Sequence, residues 1–166
     1  MTGAFDPAEI IETLDRHGVR YVLVGGVAAR LHGSPTLTED IDITPEQTAE
    51  NLTCLAEALA DLDARLAVPD KPEGLEVALD AEAFSSPVMS FTTRAGIVDV
   101  VLEVLGVGGH ARLHRDAVPF EIHGLRIHVA ALDDIIRSKE AASRPKDRAH
   151  LETLEALREE LRRRES

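Results

Sequence analysis

The segment YVLVGGVAARLHGSPTLTEDIDI, residues 21–43, contains the most informative pattern in this chain. It opens with a β-prone run over residues 21–24, and the pair Gly25-Gly26 follows at once. Two glycines let the backbone turn sharply and let a phosphate group come close to it. A short helix predicted over residues 27–32 directs unpaired N–H groups and the positive end of its dipole at that phosphate. The first half of the segment therefore predicts an anion-binding turn between a strand and a helix.

The second half of the segment ends in Asp40-Ile41-Asp42-Ile43, which is typical of a strand with alternating faces. Because side chains alternate along a strand, both aspartates project from one face while the isoleucines point into the core. Two neighbouring carboxylates repel each other unless a cation lies between them, and Mg²⁺ prefers carboxylate and phosphate oxygens. The pattern predicts a site for metal and nucleotide. The alternative is that Asp40 and Asp42 are ordinary solvated acids on an edge strand.

The order of these motifs resembles the nucleotidyltransferase superfamily typified by DNA polymerase β. Its signature is a Gly-Gly or Gly-Ser pair, a helical segment, and a strand that alternates hydrophobic residues with aspartate. Here Gly25-Gly26, residues 27–39 and Asp40-Ile41-Asp42-Ile43 follow that order. The resemblance implies an α+β fold with a central mixed β-sheet flanked by helices, and further helices at the C-terminus. It also implies transfer of a nucleoside monophosphate from an NTP to a hydroxyl group, with Mg²⁺, or Mn²⁺ in its place, as cofactor.

In that superfamily a third carboxylate comes from a neighbouring strand, and the β-branched run at residues 97–104 supplies Asp99. The resemblance thus assigns the metal-binding and catalytic roles to three acids, Asp40, Asp42 and Asp99, of which Asp99 also helps to deprotonate the acceptor. It assigns the β- and γ-phosphates to the backbone of Gly25 and Gly26. Two cations about 3.5–4 Å apart can polarise the attacking hydroxyl and neutralise charge on the α-phosphate.

The C-terminal segment, residues 132–147, is similar to the Lys-x6-Lys-Asp segment of AbiEii-like nucleotidyltransferases, known mainly as toxins of toxin–antitoxin pairs. The resemblance implies nucleotide-binding roles for Lys139, Lys146 and Asp147. Ammonium groups near a triphosphate neutralise the charge that builds up on the leaving pyrophosphate. It further implies a tRNA end or a protein as acceptor, and a cognate antitoxin as partner.

The chain departs from these family patterns in two places. Thr36 and Leu37 occupy positions where many relatives carry an arginine, and His150 follows the Lys146-Asp147 pair where many carry an aspartate. A plainer interpretation of the lysines is a solvated helix face with ion pairs between successive turns. Because the residue before a proline disfavours the α conformation, Arg144-Pro145 predicts a junction between two helices there.

Length and charge predict one compact domain over residues 1–166, with a core at about 20–104 and a C-terminal hairpin and helices at about 118–166. The net charge of −12 argues against broad adhesion to nucleic acid or to an anionic membrane. No run approaches the ~20 apolar residues that span a bilayer, and the N-terminus lacks a signal pattern. The single Cys54 suits a reducing compartment. We therefore expect a cytoplasmic protein with no membrane partner.

The remaining pattern predicts further helices and hairpins. Asp6 begins a capped helix that ends at Gly18, and Thr44-Pro45 predicts a second capped start, with the helix running to about Ala60. A loop is predicted from Pro69 to Gly74. The predicted hairpins pair residues 88–93 with 97–104 and residues 118–122 with 125–129, and two helices close the chain.

Two further functions are open at the level of sequence. Small antibiotic-modifying nucleotidyltransferases share the Gly-Gly and Asp-x-Asp core, and an acidic surface favours a cationic acceptor such as an aminoglycoside. A chain that keeps the fold without catalysis would be a nucleotide-binding or partner-binding module. Replacing Asp40 and Asp42 by asparagine distinguishes an enzyme from a binding module, because only a catalyst depends on those carboxylates for its biological effect.

Overall fold

The computed structural model describes residues 4–166, and within that range the chain is a mixed α+β structure. Its strands are β1 Tyr21–Val24, β2 Asp40–Pro45, β3 Arg65–Val68, β4 Lys71–Leu75, β5 Val88–Thr93, β6 Gly96–Val101, β7 Val118–Ile122 and β8 Leu125–Val129. Its helices are α1 Pro7–Arg16, α2 Gly25–His32, α3 Ala49–Asp61, α4 His110–Asp116, α5 Leu132–Ala142 and α6 Pro145–Glu165, and a 3₁₀ turn lies at Ala81–Ala83. The predicted α+β class is confirmed.

All the described strands belong to one mixed sheet in the order β4-β3-β5-β6-β2-β1-β8-β7. Strand β2 lies parallel to β6 and antiparallel to β1, and β8 lies parallel to β1. The C-terminal hairpin β7–β8 thus extends the same sheet that carries the Asp-x-Asp strand. This central position of β2 brings the N-terminal and C-terminal parts of the chain to one site.

The alternation along β2 and β6 places one face of each strand in the core. Ile41, Ile43, Val98 and Val100 are almost completely buried, at 0–1% exposure. The aspartates between them stay half-buried on the other face of the strands. Burying apolar side chains on one face of a central strand pair stabilises the sheet and leaves its other face to carry polar groups.

Two predicted boundaries are wrong. Thr44 and Pro45 do not begin a helix: β2 continues through Pro45, and the cap of α3 is Thr48, whose hydroxyl accepts the backbone N–H of Asn51 at 3.2 Å. The predicted Pro69–Gly74 loop is mostly strand β4, which pairs with β3 as a hairpin. Proline is tolerated in a strand at the edge of a sheet, so the Pro and Gly residues here mark an edge strand rather than a loop.

The other predicted elements are confirmed with small shifts. Helix α1 begins after Asp6, whose carboxylate accepts the backbone N–H of Glu9 at 3.1 Å. Strand β6 ends at Val101 rather than at Val104, and α2 begins at Gly25 rather than at Val27. The break predicted at Arg144-Pro145 separates α5 from α6. None of the helices within residues 4–166 is long and apolar enough to cross a membrane.

Candidate active site

Three aspartates meet at the centre of the sheet. In the parallel pair of β2 and β6, Asp42 lies opposite Asp99, and Asp40 lies two residues before Asp42 on the same face. Each of the three offers a carboxylate oxygen, and these oxygens lie within 4.8 Å of one another. Adjacent parallel strands in register therefore bring together the three acids that the sequence motifs assign to one site.

The three charges are crowded enough to change protonation. Burial, and then a hydrogen bond with Asp99 and the charges of Asp99 and Asp40, raise the pKa of Asp42 to about 8, against a smaller opposing effect of the Gly26 N–H. Asp99 Oδ1 is buried and has no hydrogen-bond partner within residues 4–166. An all-carboxylate set with an unpaired buried oxygen fits a hard divalent cation such as Mg²⁺ or Mn²⁺, which takes oxygen ligands.

A residue of the loop before β2 orients the carboxylate of Asp40. The hydroxyl of Thr38 donates a hydrogen bond to Asp40 Oδ1 at 2.8 Å. Thr38 was not among the residues predicted from the sequence, although a threonine two residues before an acid is a familiar local partner for it. This hydrogen bond fixes the first carboxylate of the Asp-x-Asp pair.

The two glycines form the first turn of α2 beside the acids. Gly25 has a positive φ of +71°, and a Cβ at this position would collide with the carboxylate of Asp42. A Cβ at Gly26 would stand only 3.1 Å from the Thr38 side chain. No side chain within residues 4–166 caps the N-terminus of this helix. The close approach requires glycine, and backbone N–H groups remain available next to the carboxylates.

The junction of α5 and α6 brings positive charge to the same place. Asp147, only 1% exposed, receives Arg144 Nε at 2.8 Å and lies 3.6 Å from Lys139 Nζ. Although burial alone would raise it, the hydrogen bond from Arg144 and the charge of Lys139 hold the pKa of Asp147 below its usual value. Lys146 is exposed one residue before it. Asp147 thus lies beneath two cations, with its carboxylate already occupied by them.

Two cavities border the aspartates and share part of their walls: Gly26, Asp42, Asp99, Lys139 and Arg144. The first, of about 700 Å³, adds Thr38, Asp40, Lys146, Asp147 and His150, and we call it the cationic cavity. The second, of about 590 Å³, adds Val88, Val101, Leu105, Leu113 and Ile135, and we call it the apolar cavity. A reacting group at the aspartates can be reached from both.

Several residues of the two cavities were not predicted as site residues. Arg144 lines both of them, and its signals in the sequence were its position before Pro145 and its place in a basic C-terminal segment. Asp134, 2% exposed, lines the apolar cavity and is paired with Arg112 and Arg137 at 3.2 and 3.1 Å. A buried acid held by two arginines fixes α4 against α5. No local motif marks it, because Arg112 lies 22 residues away in the sequence.

Known proteins are similar to this chain in structure, whereas comparisons of its sequence gave no match. No family profile matches the sequence, and no curated protein matches it. The lincosamide antibiotic adenylyltransferase LnuA, solved with lincomycin bound, superposes with a TM-score of 0.60 at 15% identity, covering 93% of this chain and 99% of that one.

The antibiotic-resistance factor ANT(2'')-Ia is similar in two structures. Its solution structure gives a TM-score of 0.53 at 17% identity, over 95% of this chain and 90% of that one. Its crystal structure with adenylyl-2''-tobramycin gives 0.52 at 17% identity, over 96% and 97%. The chain described here therefore has the nucleotidyltransferase fold, as the resemblance to the polymerase β-like superfamily predicted.

Proposed function

We propose that this protein is a metal-dependent nucleotidyltransferase, which moves a nucleoside monophosphate from an NTP to a hydroxyl acceptor and releases pyrophosphate. The observation that carries the proposal is the group of three aspartates with oxygens within 4.8 Å of one another, of which Asp42 and Asp99 border both cavities. Bound Mg²⁺, or Mn²⁺ in its place, would polarise the attacking hydroxyl and neutralise charge on the α-phosphate. Asp40, Asp42 and Asp99 would hold it.

Different residues of the site would then have different roles in the reaction. Asp99, whose Oδ1 is buried without a partner within residues 4–166, would also take up the proton of the attacking hydroxyl. The N–H groups at the start of α2, at Gly25 and Gly26, would bind phosphate oxygens. Because Asp42 and Asp99 line both cavities, a hydroxyl in one can meet a phosphate in the other there.

The cationic cavity is the natural place for the triphosphate. Lys139, Lys146 and Arg144 bring three positive charges, of which Asp147 compensates one. Preorganised cations stabilise the charge that develops on a leaving pyrophosphate. We assign Asp147 a positioning role on the nucleotide side, since its carboxylate holds Lys139 and Arg144 rather than facing the phosphates.

The apolar cavity favours a compact small molecule as acceptor. Val88, Leu105 and Ile135 can pack against an apolar skeleton, and the exposed Glu103 on the same wall can pair with an amine. LnuA was solved with lincomycin and ANT(2'')-Ia with an adenylylated tobramycin. We therefore place a hydroxylated, amine-bearing antibiotic first among the acceptors.

A toxin role is the second candidate. The basic junction at Lys139, Arg144 and Lys146 is the observation that favours it, because such a patch can also meet the phosphates of a tRNA end. The acceptor would then be a tRNA end or a protein hydroxyl, and a cognate antitoxin would be a partner. We treat residues 1–166 as one domain in either case, since one sheet takes strands from both parts of the chain.

The test is transfer of label from each α-³²P-NTP in the presence of Mg²⁺. The acceptors are a lincosamide and aminoglycoside panel, total tRNA, and the protein itself, each with the wild type and with Asp42→Asn. Transfer by the wild type alone establishes the reaction and names the acceptor. NTP binding without transfer to any acceptor would instead favour the non-catalytic module.

A further inference from the structure

His150 lies on the face of α6 that lines the cationic cavity. Lys146, His150 and Thr153 are spaced by four and three residues, so they share one side of the helix, and all three line this cavity. One turn before His150 stands the buried Asp147, which holds Lys139. His150 therefore lies among the groups that we assign to the nucleotide, and it does not line the apolar cavity.

The ring of His150 carries an unused hydrogen-bonding atom. Its Nε2 is buried and has no hydrogen-bond partner within residues 4–166. Buried polar atoms in folded proteins nearly always have a partner, and one without it costs stability. A group that binds in the cavity can supply the missing partner.

The surrounding charge defines the chemistry of that partner. Burial, and then the charge of Lys139, lower the pKa of His150, while Asp147 opposes the shift. The imidazole is therefore neutral at pH 7 and retains one N–H that it can donate. Beside Lys139, Lys146 and Arg144, the group that best accepts this hydrogen bond is an anionic oxygen.

We infer that His150 Nε2–H donates a hydrogen bond to the β- or γ-phosphate of the bound NTP, and so binds the part that leaves as pyrophosphate. The inference rests on the proposed function. The α-phosphate must lie at Asp42 and Asp99, which border both cavities, whereas His150 borders only the cationic one. The phosphates farther from the acceptor are therefore the ones within its reach.

The identity of this residue matters because many proteins with the AbiEii-like pattern carry an aspartate at its position. A carboxylate here would compensate a second of the three cations, next to the one that Asp147 already compensates. A neutral imidazole leaves that cation uncompensated and adds a hydrogen-bond donor. This chain thus combines the cations of the helix junction with a neutral hydrogen-bond donor for phosphate.

The experiment uses three substitutions and three ligands. Glutamine at position 150 places an amide nitrogen near the position of Nε2, asparagine places it near Nδ1, and alanine removes both. Binding of α,β-methylene-ATP, pyrophosphate and AMP is measured by calorimetry with Mg²⁺ and without acceptor. His123→Ala, on the turn between β7 and β8, is the matched control.

We expect His150→Ala and His150→Asn to weaken binding of α,β-methylene-ATP and of pyrophosphate about tenfold, and His150→Gln to retain it. AMP binding stays unchanged in all three. Equal binding of the first two ligands by all variants, or loss confined to AMP, would overturn the inference while leaving the proposed function standing. A wild type that binds no nucleotide would remove the proposed function itself, and this inference with it.

Discussion

The two cavities share one wall and differ in the rest of their lining. On the cationic side, Lys139, Lys146 and Arg144 come from the α5–α6 junction, where Lys139 and Arg144 pair with Asp147. On the apolar side, Val88, Leu105 and Ile135 come from three separate segments of the chain. Charge is thus concentrated in one cavity and apolar surface in the other, as a reaction between an anionic donor and an uncharged hydroxyl requires.

Substitutions in the wall that the two cavities share should lower the rate of nucleotidyl transfer most, because this wall borders both cavities. We expect Asp42→Asn and Asp99→Asn each to lower nucleotidyl transfer by about three orders of magnitude, since several kcal/mol of transition-state stabilisation are lost with the metal. Initial rates with labelled NTP measure this. Asp70→Asn, at an exposed turn, is the matched control. A rate within tenfold of the wild type for Asp42→Asn would refute the assignment.

The next prediction concerns stability in the absence and presence of metal. The pKa of Asp42 is raised from its usual 3.8 to about 8, first by burial and then by Asp99 and Asp40. The stability that this group contributes is therefore full below pH 3.8 and is lost as pH rises through about 8. At pH 8 in EDTA we expect Asp42→Asn to melt at a higher temperature than the wild type.

Addition of Mg²⁺ should reverse that order. At a hundredfold excess over the dissociation constant, binding to the native state adds about 2.7 kcal/mol to the stability of the wild type. Asp42→Asn should show little or no shift. Thermal melts in EDTA and in Mg²⁺ decide the matter, and equal shifts for the two proteins would mean that metal binds elsewhere.

The third prediction separates the cationic cavity from the apolar one. Lys139→Met keeps the aliphatic stem and removes the charge, so we expect KM for NTP to rise about 10–100-fold. KM for the acceptor should not change, although Lys139 borders both cavities, because the acceptor is not the phosphate-bearing substrate. Steady-state kinetics with each substrate varied gives both values, and Lys71→Met on the edge strand β4 is the control. An equal rise in KM for the NTP and in KM for the acceptor would contradict the assignment of the two substrates to separate cavities.

Much of the shared wall could be predicted from sequence because its signals are local. The glycine pair, the alternation around Asp40 and Asp42, and the β-branched run around Asp99 each lie within a few residues. Their meeting in one place follows from pairing β2 with β6. The mixed sheet flanked by helices could be predicted from the same strands and helices, whereas the edge strand β4 could not, because Pro72 and Gly74 indicate a loop.

The apolar cavity could not be predicted in this way. Val88 begins β5, Leu113 lies on α4 and Ile135 on α5, and no spacing in the sequence relates them. Their neighbourhood depends on the sheet order and on the packing of α4 against α5 through Asp134 and Arg112. Apolar residues that meet only through long-range contacts look like any other apolar residues in the sequence, so no local pattern identifies them.

The smallest predicted effect tests which substrate occupies the apolar side. Leu105 borders the apolar cavity and Leu37 the cationic one, and both are exposed leucines, at 63% and 82%. Contact between an apolar skeleton and an exposed leucine is worth about 1 kcal/mol, so Leu105→Asn should raise KM for a small-molecule acceptor about fivefold. Leu37→Asn should leave that constant unchanged.

The same pair of variants also distinguishes the acceptors. A tRNA end presents phosphates and polar edges, which gain nothing from Leu105, so its KM would be the same in both variants and would rise with the ionic strength of the buffer. Kinetics for the two variants at two salt concentrations measures this. A response of the antibiotic reaction to Leu37 but not to Leu105 would reverse the assignment of the two cavities, since the acceptor would then enter from the side of the cations.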